Sequence, residues 1–160
     1  MEHCFDGCSC RCDQTHEEVD KIAKSELADP IPLQEITRTN IGWFGDRSIC
    51  DHHISEWGLD RREGLYILWH KSDYCAVHDR FHMAALYVGK GNIGIRLRDH
   101  WKNKDFSDEL LIYVTYAELP NRLSKYYEQL LLDIYDFPFN KAENSGIRSL
   151  CEHFTQYEVD

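Results

Sequence analysis

The sequence predicts one small domain of the mixed α+β class, and three observations support that class. Short apolar segments rich in aromatic and β-branched residues, at 65–69, 84–88 and 110–116, are typical of strands. Amphipathic patterns at 16–28 and from residue 121 onward are typical of helices. A length of 160 residues and a hydrophobic fraction of 42% suit a single domain with a buried core.

The N-terminal part of the chain is expected to begin its ordered structure with a helix over residues 16–28. Thr15 is the candidate N-cap, and two glutamates follow in the first turn, where the helix dipole favours negative charge. Pro30 ends this helix because proline cannot continue one. Residues 33–60 contain too many large apolar side chains for a linker, so we expect a partly irregular segment packed on the core.

The connections between the three strands differ in character. Residues 70–82 are polar, contain three histidines and are expected to form a long connection. Glycines follow the second strand, and Asn92 is expected to cap a helix that runs to about Lys102. The third strand, 110–116, is almost continuously apolar, which predicts a central position in the sheet.

The strongest helical pattern begins at Leu119-Pro120-Asn121 and stops before Phe137-Pro138. Glu128 lies within it, among apolar residues at helical spacing. Residues 147–154 are expected to form a short final helix. The apolar stripe of the long helix consists of Leu123, Tyr126, Tyr127, Leu130, Leu131 and Ile134.

The net charge of −10 opposes generic affinity for nucleic acid, because a polyanion is repelled by an acidic surface. Residues 90–104 depart from this balance with a local charge of +4, so the remainder carries −14. One basic patch on an otherwise acidic protein is suited to bind a phosphate locally. The alternative is that this patch is only a solvated helix face. The patch comprises Lys90, Arg96, Arg98, Lys102 and Lys104 against Asp99.

The seven cysteines do not have the distribution of a secreted disulfide scaffold, because their number is odd and four crowd into residues 4–12. In a reducing compartment they are expected to be thiols or metal ligands. The Cys-x-Cys-x-Cys run departs from standard zinc-finger spacing, and the alternative is a loosely attached tail with incidental thiols. The candidate Zn²⁺ ligands are Cys4, Cys8, Cys10 and Cys12, with Cys50, His52 and His53 as a second half.

No targeting or membrane segment is expected. The N-terminus, Met1-Glu2-His3-Cys4, lacks the basic and apolar regions of a secretory signal. No apolar run approaches the roughly 20 residues that span a bilayer. We therefore expect a cytoplasmic protein, or a nuclear one in a eukaryote, without membrane association.

Five groups in a fixed order have the chemistry of a phosphodiester-cleaving site. Such cleavage needs a nucleophilic water, neutralisation of charge on the phosphate and help for the leaving oxygen, and a divalent ion can provide two of these. A glutamate is a hard oxygen ligand for Mg²⁺, and an arginine can bridge two phosphate oxygens. The groups are Gly64-Leu65-Tyr66, Tyr87-Val88-Gly89, Arg96 with His100, Glu128, and Asn140.

This order of groups resembles the GIY-YIG nuclease superfamily over residues 64–144, about half of the chain. The resemblance implies a core over 61–146 with a central three-stranded antiparallel sheet flanked by helices. It implies a mostly helical N-terminal extension over 1–60, packed on that core, and a C-terminal helix or tail over 147–160. It also implies a metal-dependent endonuclease that uses Mg²⁺ or Mn²⁺ and acts on DNA in preference to RNA.

The resemblance further implies roles for individual residues. Tyr66 matches the tyrosine that deprotonates water, which requires a nearby cation to lower its pKa. Tyr87 matches the tyrosine that positions phosphate or water, and Arg96 matches the arginine that neutralises the scissile phosphate. Glu128 matches the metal ligand, and Asn140 matches the asparagine that braces the site.

Four further residues belong to this set of expectations. His100 is expected to assist proton transfer or to contact phosphate. Lys90 and Arg98 are candidate phosphate contacts, and Arg98 competes with Arg96 for the main role. Helical spacing favours Arg96, which lies four residues before His100. Asn144 is an alternative to Asn140.

The chain also departs from the family pattern. Twenty residues, 67–86, separate the two tyrosines, about twice the usual number, which predicts a lengthened hairpin whose histidines could contact substrate. Two other functions remain open. One is a binding module for nucleic acid or protein on a degenerate core, and the other is a nuclease toxin or effector neutralised by a protein partner or inhibitor.

Overall fold

Residues 12–38, 41–45, 58–75, 80–103, 111–140 and 144–154 are described by a computed structural model of the chain. They form a mixed α+β fold with one antiparallel sheet, so the predicted fold class is confirmed. The helices are α1 (Cys12–Glu26), α2 (Leu33–Arg38), α3 (Ile93–Asn103) and α4 (Asn121–Ile134). The strands are β1 (Ile41–Gly45), β2 (Glu63–Cys75), β3 (Arg80–Asn92), β4 (Leu111–Glu118) and β5 (Cys151–Phe154).

Within these described segments the sheet has five strands, in the order β1-β4-β2-β3-β5, where the sequence predicted three. The three predicted strands are β2, β3 and β4, and β4 has a neighbour on each side, as its apolar sequence indicated. The two additional strands are short edges, β1 beside β4 and β5 beside the outer half of β3. Sequence patterns missed them because such short strands depend on backbone pairing with a neighbour rather than on an apolar run of their own.

The predicted final helix over residues 147–154 is wrong, because Cys151–Phe154 forms the edge strand β5. Cys151 and Phe154 are both buried, at 2% and 0% exposure. The strand buries both of these residues while it pairs with β3. A helix would have buried them only if both lay along the same side.

The predicted connection over residues 70–82 is also wrong, because most of it is strand. β2 continues to Cys75 and β3 begins at Arg80, so the two strands form one long antiparallel hairpin. The lengthened hairpin expected from the spacing of the two tyrosines is thereby confirmed. Its outer half carries His70 and His82.

The N-terminal part of the chain packs on the sheet through α1 and α2. α1 starts three residues before Thr15, which therefore lies inside the helix rather than at its N-cap, and ends at Glu26. The Asp20 carboxylate accepts a hydrogen bond from Leu33 N at 2.8 Å, which caps α2. The segment 33–60, expected to be partly irregular, contributes α2, β1 and a short 3-10 turn in its described part.

The two helices predicted after the hairpin are confirmed. Asn92 caps α3, since its Oδ1 accepts a hydrogen bond from Ile95 N at 3.0 Å. α4 starts directly after Pro120 and ends at Ile134, before the predicted stop signal. No helix in the described part of the chain is both long and apolar enough to cross a membrane.

Two hydrophobic clusters cover the two faces of the sheet. The first lies under α1, α2 and α4 and includes Trp69, Tyr127 and Phe154. The Tyr127 hydroxyl accepts a hydrogen bond from Ile31 N at 2.8 Å and donates one to Ile31 O at 3.0 Å, which ties α4 to the segment between α1 and α2. The second, smaller cluster lies under α3 and includes Tyr66, Leu68, Leu86, Ile93 and Leu97.

A β-bulge at Leu86 turns Tyr87 toward the second cluster. The ladder pairs Leu68 with Tyr87 and then Trp69 with Ala85, so Leu86 is the extra residue. Ala85 belongs to the first cluster, whereas Leu86 and Tyr87 both pack on the second. Strict alternation from Ala85 would have turned Tyr87 to the first face, so the bulge decides which face carries this tyrosine.

Candidate active site

Tyr66 and His100 form the centre of the candidate active site. Tyr66 projects from β2 into the second cluster, and only 1% of its surface is exposed. Its hydroxyl lies 2.9 Å from His100 Nε2 on α3, a hydrogen-bond distance. The phenol donates when Nε2 carries no proton and accepts when it does. A phenol and an imidazole in direct contact can exchange a proton, which is the chemistry that both residues were expected to supply.

Tyr87 completes an aromatic group around this hydrogen bond. Its ring stacks on that of Tyr66, with centroids 6.0 Å apart and planes inclined at 28°. It meets the His100 ring edge-on, at a centroid distance of 4.6 Å. The structure therefore brings together both tyrosines and the histidine singled out in the sequence, and the bulge at Leu86 makes this possible.

The glycines of the two tyrosine tripeptides lie where a side chain would collide with its surroundings. A Cβ on Gly89 would lie 2.5 Å from the Tyr66 hydroxyl oxygen and 2.6 Å from its Cζ. A Cβ on Gly64 would fall on the carbonyl oxygen of Ala117 in β4. Gly89 thus leaves the space that the Tyr66 phenol fills, and Gly64 lets β2 approach β4 closely.

Two charged residues act on the Tyr66 hydroxyl. Burial is the largest influence and raises the pKa of Tyr66 well above its ordinary value of 10.0, and Tyr87 adds to this shift. The positive charge of Arg96 lowers the pKa of Tyr66, whereas the negative charge of Glu128 raises it. The sequence predicted a lowered pKa for Tyr66. The described residues raise it instead, because burial outweighs the contribution of Arg96.

Arg96, rather than Arg98, is the arginine whose charge reaches Tyr66. It lies in the first turn of α3 and is exposed. Its Nε would lie 3.5 Å from a Cβ on Gly91, so the guanidinium runs along the glycine-containing end of β3. An exposed guanidinium beside a buried phenol is suited to bind an anion that arrives from solvent.

Glu128 is the carboxylate that could hold a metal ion at this site. It lies half-buried in the middle of α4, where Ser124 and Leu131 on adjacent turns are buried. Among the described residues, no three or more His, Cys, Asp or Glu side chains are arranged to hold a metal. One carboxylate suits a hydrated hard ion such as Mg²⁺ or Mn²⁺, which keeps several waters, and does not suit tetrahedral zinc.

The candidate zinc ligands near the N-terminus lie outside the described residues. Of Cys12 only the backbone, which starts α1, is described. The zinc hypothesis therefore stays a prediction. The ligands that lie outside the described ranges are Cys4, Cys8, Cys10, Cys50, His52 and His53.

Asn140 braces β3 beside Tyr87. Its Oδ1 accepts a hydrogen bond from Val88 N at 2.9 Å, and its Nδ2 donates one to Val88 O at 3.0 Å. Phe139 N donates to Leu86 O at 2.9 Å, so this segment bonds to β3 on both sides of Tyr87. Asn140 therefore ties this segment to β3 directly after Tyr87, next to the bulge at Leu86, and its bracing role in the site stays a prediction.

Two other candidates lie away from the tyrosine–histidine group. Lys90 pairs with Leu65, a residue of the first cluster, and its Nζ donates to Asn121 Oδ1 at 3.4 Å at the start of α4. Asn144 bonds to the backbone of Phe137 within its own loop. Contact between Lys90 and a phosphate therefore stays a prediction, and Asn144 is not the residue that braces β3.

The bulge that organises the site had only a weak signal in the sequence. Ala-Leu-Tyr-Val, residues 85–88, has the composition of a regular strand, and nothing in it marks Leu86 as an extra residue. Gly89 was the available signal, because an isolated glycine in a strand pattern indicates a bulge or a close backbone approach. The pairing of Phe139 with Leu86 joins residues far apart in the chain and has no local signature.

Comparisons of this chain with protein-family models, with curated proteins and with solved structures gave no match. The chemistry of the site is therefore inferred from its own residues, their order in the chain and their geometry.

Proposed function

We propose that the chain is an endonuclease that hydrolyses phosphodiester bonds in DNA at a site built from Tyr66, Arg96 and Glu128, with Mg²⁺ or Mn²⁺ as its metal ion. The hydrogen bond between Tyr66 and His100, beside an exposed arginine and within electrostatic reach of a carboxylate, carries this proposal. A purely structural tyrosine needs one hydrogen-bond partner, but it does not need an anion and a cation that both act on its hydroxyl.

Arg96 is the group that binds the scissile phosphate in this proposal. Its planar guanidinium can bond two phosphate oxygens at once, and the local charge of +4 over residues 90–104 favours a polyanion there. The net charge of −10 over the whole chain opposes binding elsewhere on the surface. The protein should therefore bind DNA at this site alone, with weak non-specific affinity.

Proton transfer at the site involves two groups rather than one. Tyr66 keeps its proton at neutral pH, because a free tyrosine has a pKa of about 10 and burial raises the pKa of Tyr66 further. His100 Nε2, at 2.9 Å, can take that proton while Tyr66 accepts one from the attacking water, so the phenolate need not persist. Arg96 favours the negative charge that develops on the oxygen. A bound Mg²⁺ or Mn²⁺ would neutralise charge on the phosphate and its leaving oxygen, and Glu128 would hold it.

A binding module is the second candidate function, and the raised pKa of Tyr66 favours it. A tyrosine that stays neutral is a poor general base, so the same residues could bind a phosphate without cleaving it. The two functions differ in the expected role of Glu128. Cleavage requires its carboxylate, whereas phosphate binding by Arg96 is opposed by a nearby negative charge.

The test is nicking of supercoiled plasmid DNA by the purified full chain and by Glu128→Gln, with Mg²⁺, with Mn²⁺ and with EDTA. Asp133→Asn is the matched control, since it removes an exposed carboxylate from the same helix. We expect metal-dependent nicking by the wild type and by the control, and none by Glu128→Gln. Equal nicking by Glu128→Gln and the wild type would overturn the metal-ligand role.

Arg96→Ala and Arg98→Ala extend the experiment to the phosphate-binding role. We expect the larger loss of cleavage from Arg96→Ala, because its charge is the one that acts on Tyr66. A larger loss from Arg98→Ala would shift the assignment to that residue. The same proteins are also tested on branched, flap and single-stranded DNA and on RNA. If the wild type and all variants bind DNA but none cleaves any of these substrates, the binding module becomes the better proposal.

A further inference from the structure

A second group of titratable side chains lies on the outer half of the β2–β3 hairpin. His82 on β3 pairs directly with His153 on β5, and the two ring centroids are 5.1 Å apart with planes inclined at 54°. Directly opposed residues of antiparallel strands project from the same face, with Cβ atoms about 4.5–5.5 Å apart. The two imidazoles are half-buried and lie side by side across neighbouring strands.

A third imidazole lies close to this pair. His70 on β2 pairs with Ala84, two residues from His82 on the same face. Burial lowers the pKa of His70, and the charge of His82 lowers it further, which shows that the two rings are near each other. Two positions further along the same face, Ala84 pairs with Cys151, so small side chains flank the histidines. None of these histidines has a role in the proposed cleavage.

We propose that His82 and His153 together bind a divalent ion of the Ni²⁺, Cu²⁺ and Zn²⁺ class between β3 and β5. Imidazole nitrogen is a preferred ligand of these ions, which it binds at about 2.0–2.1 Å in the case of zinc. Two rings held in contact need only a modest rotation to reach one ion. Water completes the coordination, because the described residues provide no set of three such ligands. Mg²⁺ does not suit this pair, since it takes oxygen ligands.

This ion would cross-link the edge strand to the hairpin. β5 is held to β3 by only four paired positions, so a bridge through His153 fastens the last described strand of the sheet. An ion that binds the folded state alone stabilises it in proportion to its concentration and affinity.

The histidine pair is separate from the proposed catalytic site. His70 is already four residues from Tyr66 along β2, about 13 Å at roughly 3.3 Å per residue. The row that contains His82 and His153 lies further along the hairpin than His70. The inference therefore stands whether or not the chain cleaves DNA. Its ion differs chemically from the one assigned to Glu128.

The test is a calorimetric titration of the full chain with NiCl₂ under reducing conditions and in excess Mg²⁺. Cys4, Cys8, Cys10 and Cys12 are replaced by serine in every protein, so that N-terminal thiols do not take up the ion. His82→Gln and His153→Gln remove one imidazole each, and His82→Cys restores a ligand. His70→Gln is the matched control on the same face.

We expect one bound Ni²⁺ per chain and a raised melting temperature with Ni²⁺ in the parent protein. His82→Gln and His153→Gln should each weaken binding at least tenfold and abolish the stabilisation, whereas His82→Cys and His70→Gln should retain both. Unchanged affinity in His82→Gln and His153→Gln, or no uptake by the parent, would overturn the proposal. An equal loss in His70→Gln would overturn the assignment to the facing pair.

Discussion

The Tyr66 hydroxyl lies 2.9 Å from His100 Nε2, so a buried phenol on β2 and an imidazole on α3 share one hydrogen bond. Tyr87 stacks against the phenol and meets the imidazole edge-on, which encloses the bond in aromatic rings. Because burial raises the pKa of Tyr66, its proton can leave only if a nearby group accepts it. His100 is in position to do so, and this gives the proposed nuclease a proton path built from its own side chains.

His100→Gln should lower the rate of DNA cleavage on the order of 10²- to 10⁴-fold, the usual contribution of a group that transfers a proton. DNA affinity should change little, because Arg96 remains. Cleavage rates and binding isotherms measured side by side check this expectation. Asp99→Asn, an exposed neighbour on α3, is the control. An equal effect of both variants on the rate would remove His100 from the proton path.

Tyr66 should be among the last tyrosines of the chain to ionise, because burial and Tyr87 raise its pKa well above 10.0. A raised folded-state pKa contributes stability that is fully present below about pH 10 and is lost as pH rises through the folded-state value. Phenolate absorbance followed against pH in the wild type and in Tyr66→Phe tests this. The variant should lose the latest-titrating component, and loss of an early component would contradict the raised pKa.

Gly89→Ala should displace the Tyr66 ring, since the added Cβ would lie 2.5 Å from its hydroxyl oxygen. Overpacking of this kind costs about 1–3 kcal/mol of folding free energy. Denaturant unfolding of Gly89→Ala in the wild-type and Tyr66→Ala backgrounds forms a double-mutant cycle. The cost should shrink sharply once the ring is gone, and an equal cost in both backgrounds would place the strain elsewhere.

Asn140→Ala should destabilise the fold by about 1–3 kcal/mol, because it removes both hydrogen bonds to Val88. Cleavage should fall more than stability alone explains, since the bulge that presents Tyr87 loses its support. Asn144→Ala is the comparison, as its side chain bonds to the backbone of Phe137 rather than to β3. If Asn144→Ala lowered activity as much as Asn140→Ala at equal folded fraction, bracing at Val88 would not explain the effect.

Glu152→Ala should cost about 1.5–3 kcal/mol, the usual value of a hydrogen bond to a charged group. Glu152 is a buried carboxylate that accepts a hydrogen bond from the Thr37 hydroxyl at 2.7 Å and faces His16 at 3.8 Å. Glu118→Ala is the matched control, because Glu118 pairs with Arg62 at the exposed surface, where such pairs contribute little to stability. If Glu152→Ala and Glu118→Ala lost similar folding free energy in thermal unfolding, the burial of Glu152 would not explain the cost.

The local elements of the fold were predictable from the sequence, whereas its edges were not. The long apolar stripe around Glu128 identified α4, and Asn92 identified the start of α3, because helical spacing and caps act within a few residues. The edge strands β1 and β5 were not predicted, because each is fixed by pairing with a strand distant in the chain. The polar composition of 70–82 suggested a connection, yet hydrogen bonding between β2 and β3 keeps it extended.

By itself, the sequence determined the mixed α+β class, the order of the chemical groups and the four-residue spacing of Arg96 and His100. Only the tertiary structure decided that Tyr87 faces Tyr66, because that depends on a bulge at Leu86 held from outside by Phe139 and Asn140. It also decided the direction of the Tyr66 pKa shift. Burial among residues distant in the chain outweighs the nearby cation, and no local pattern encodes that balance.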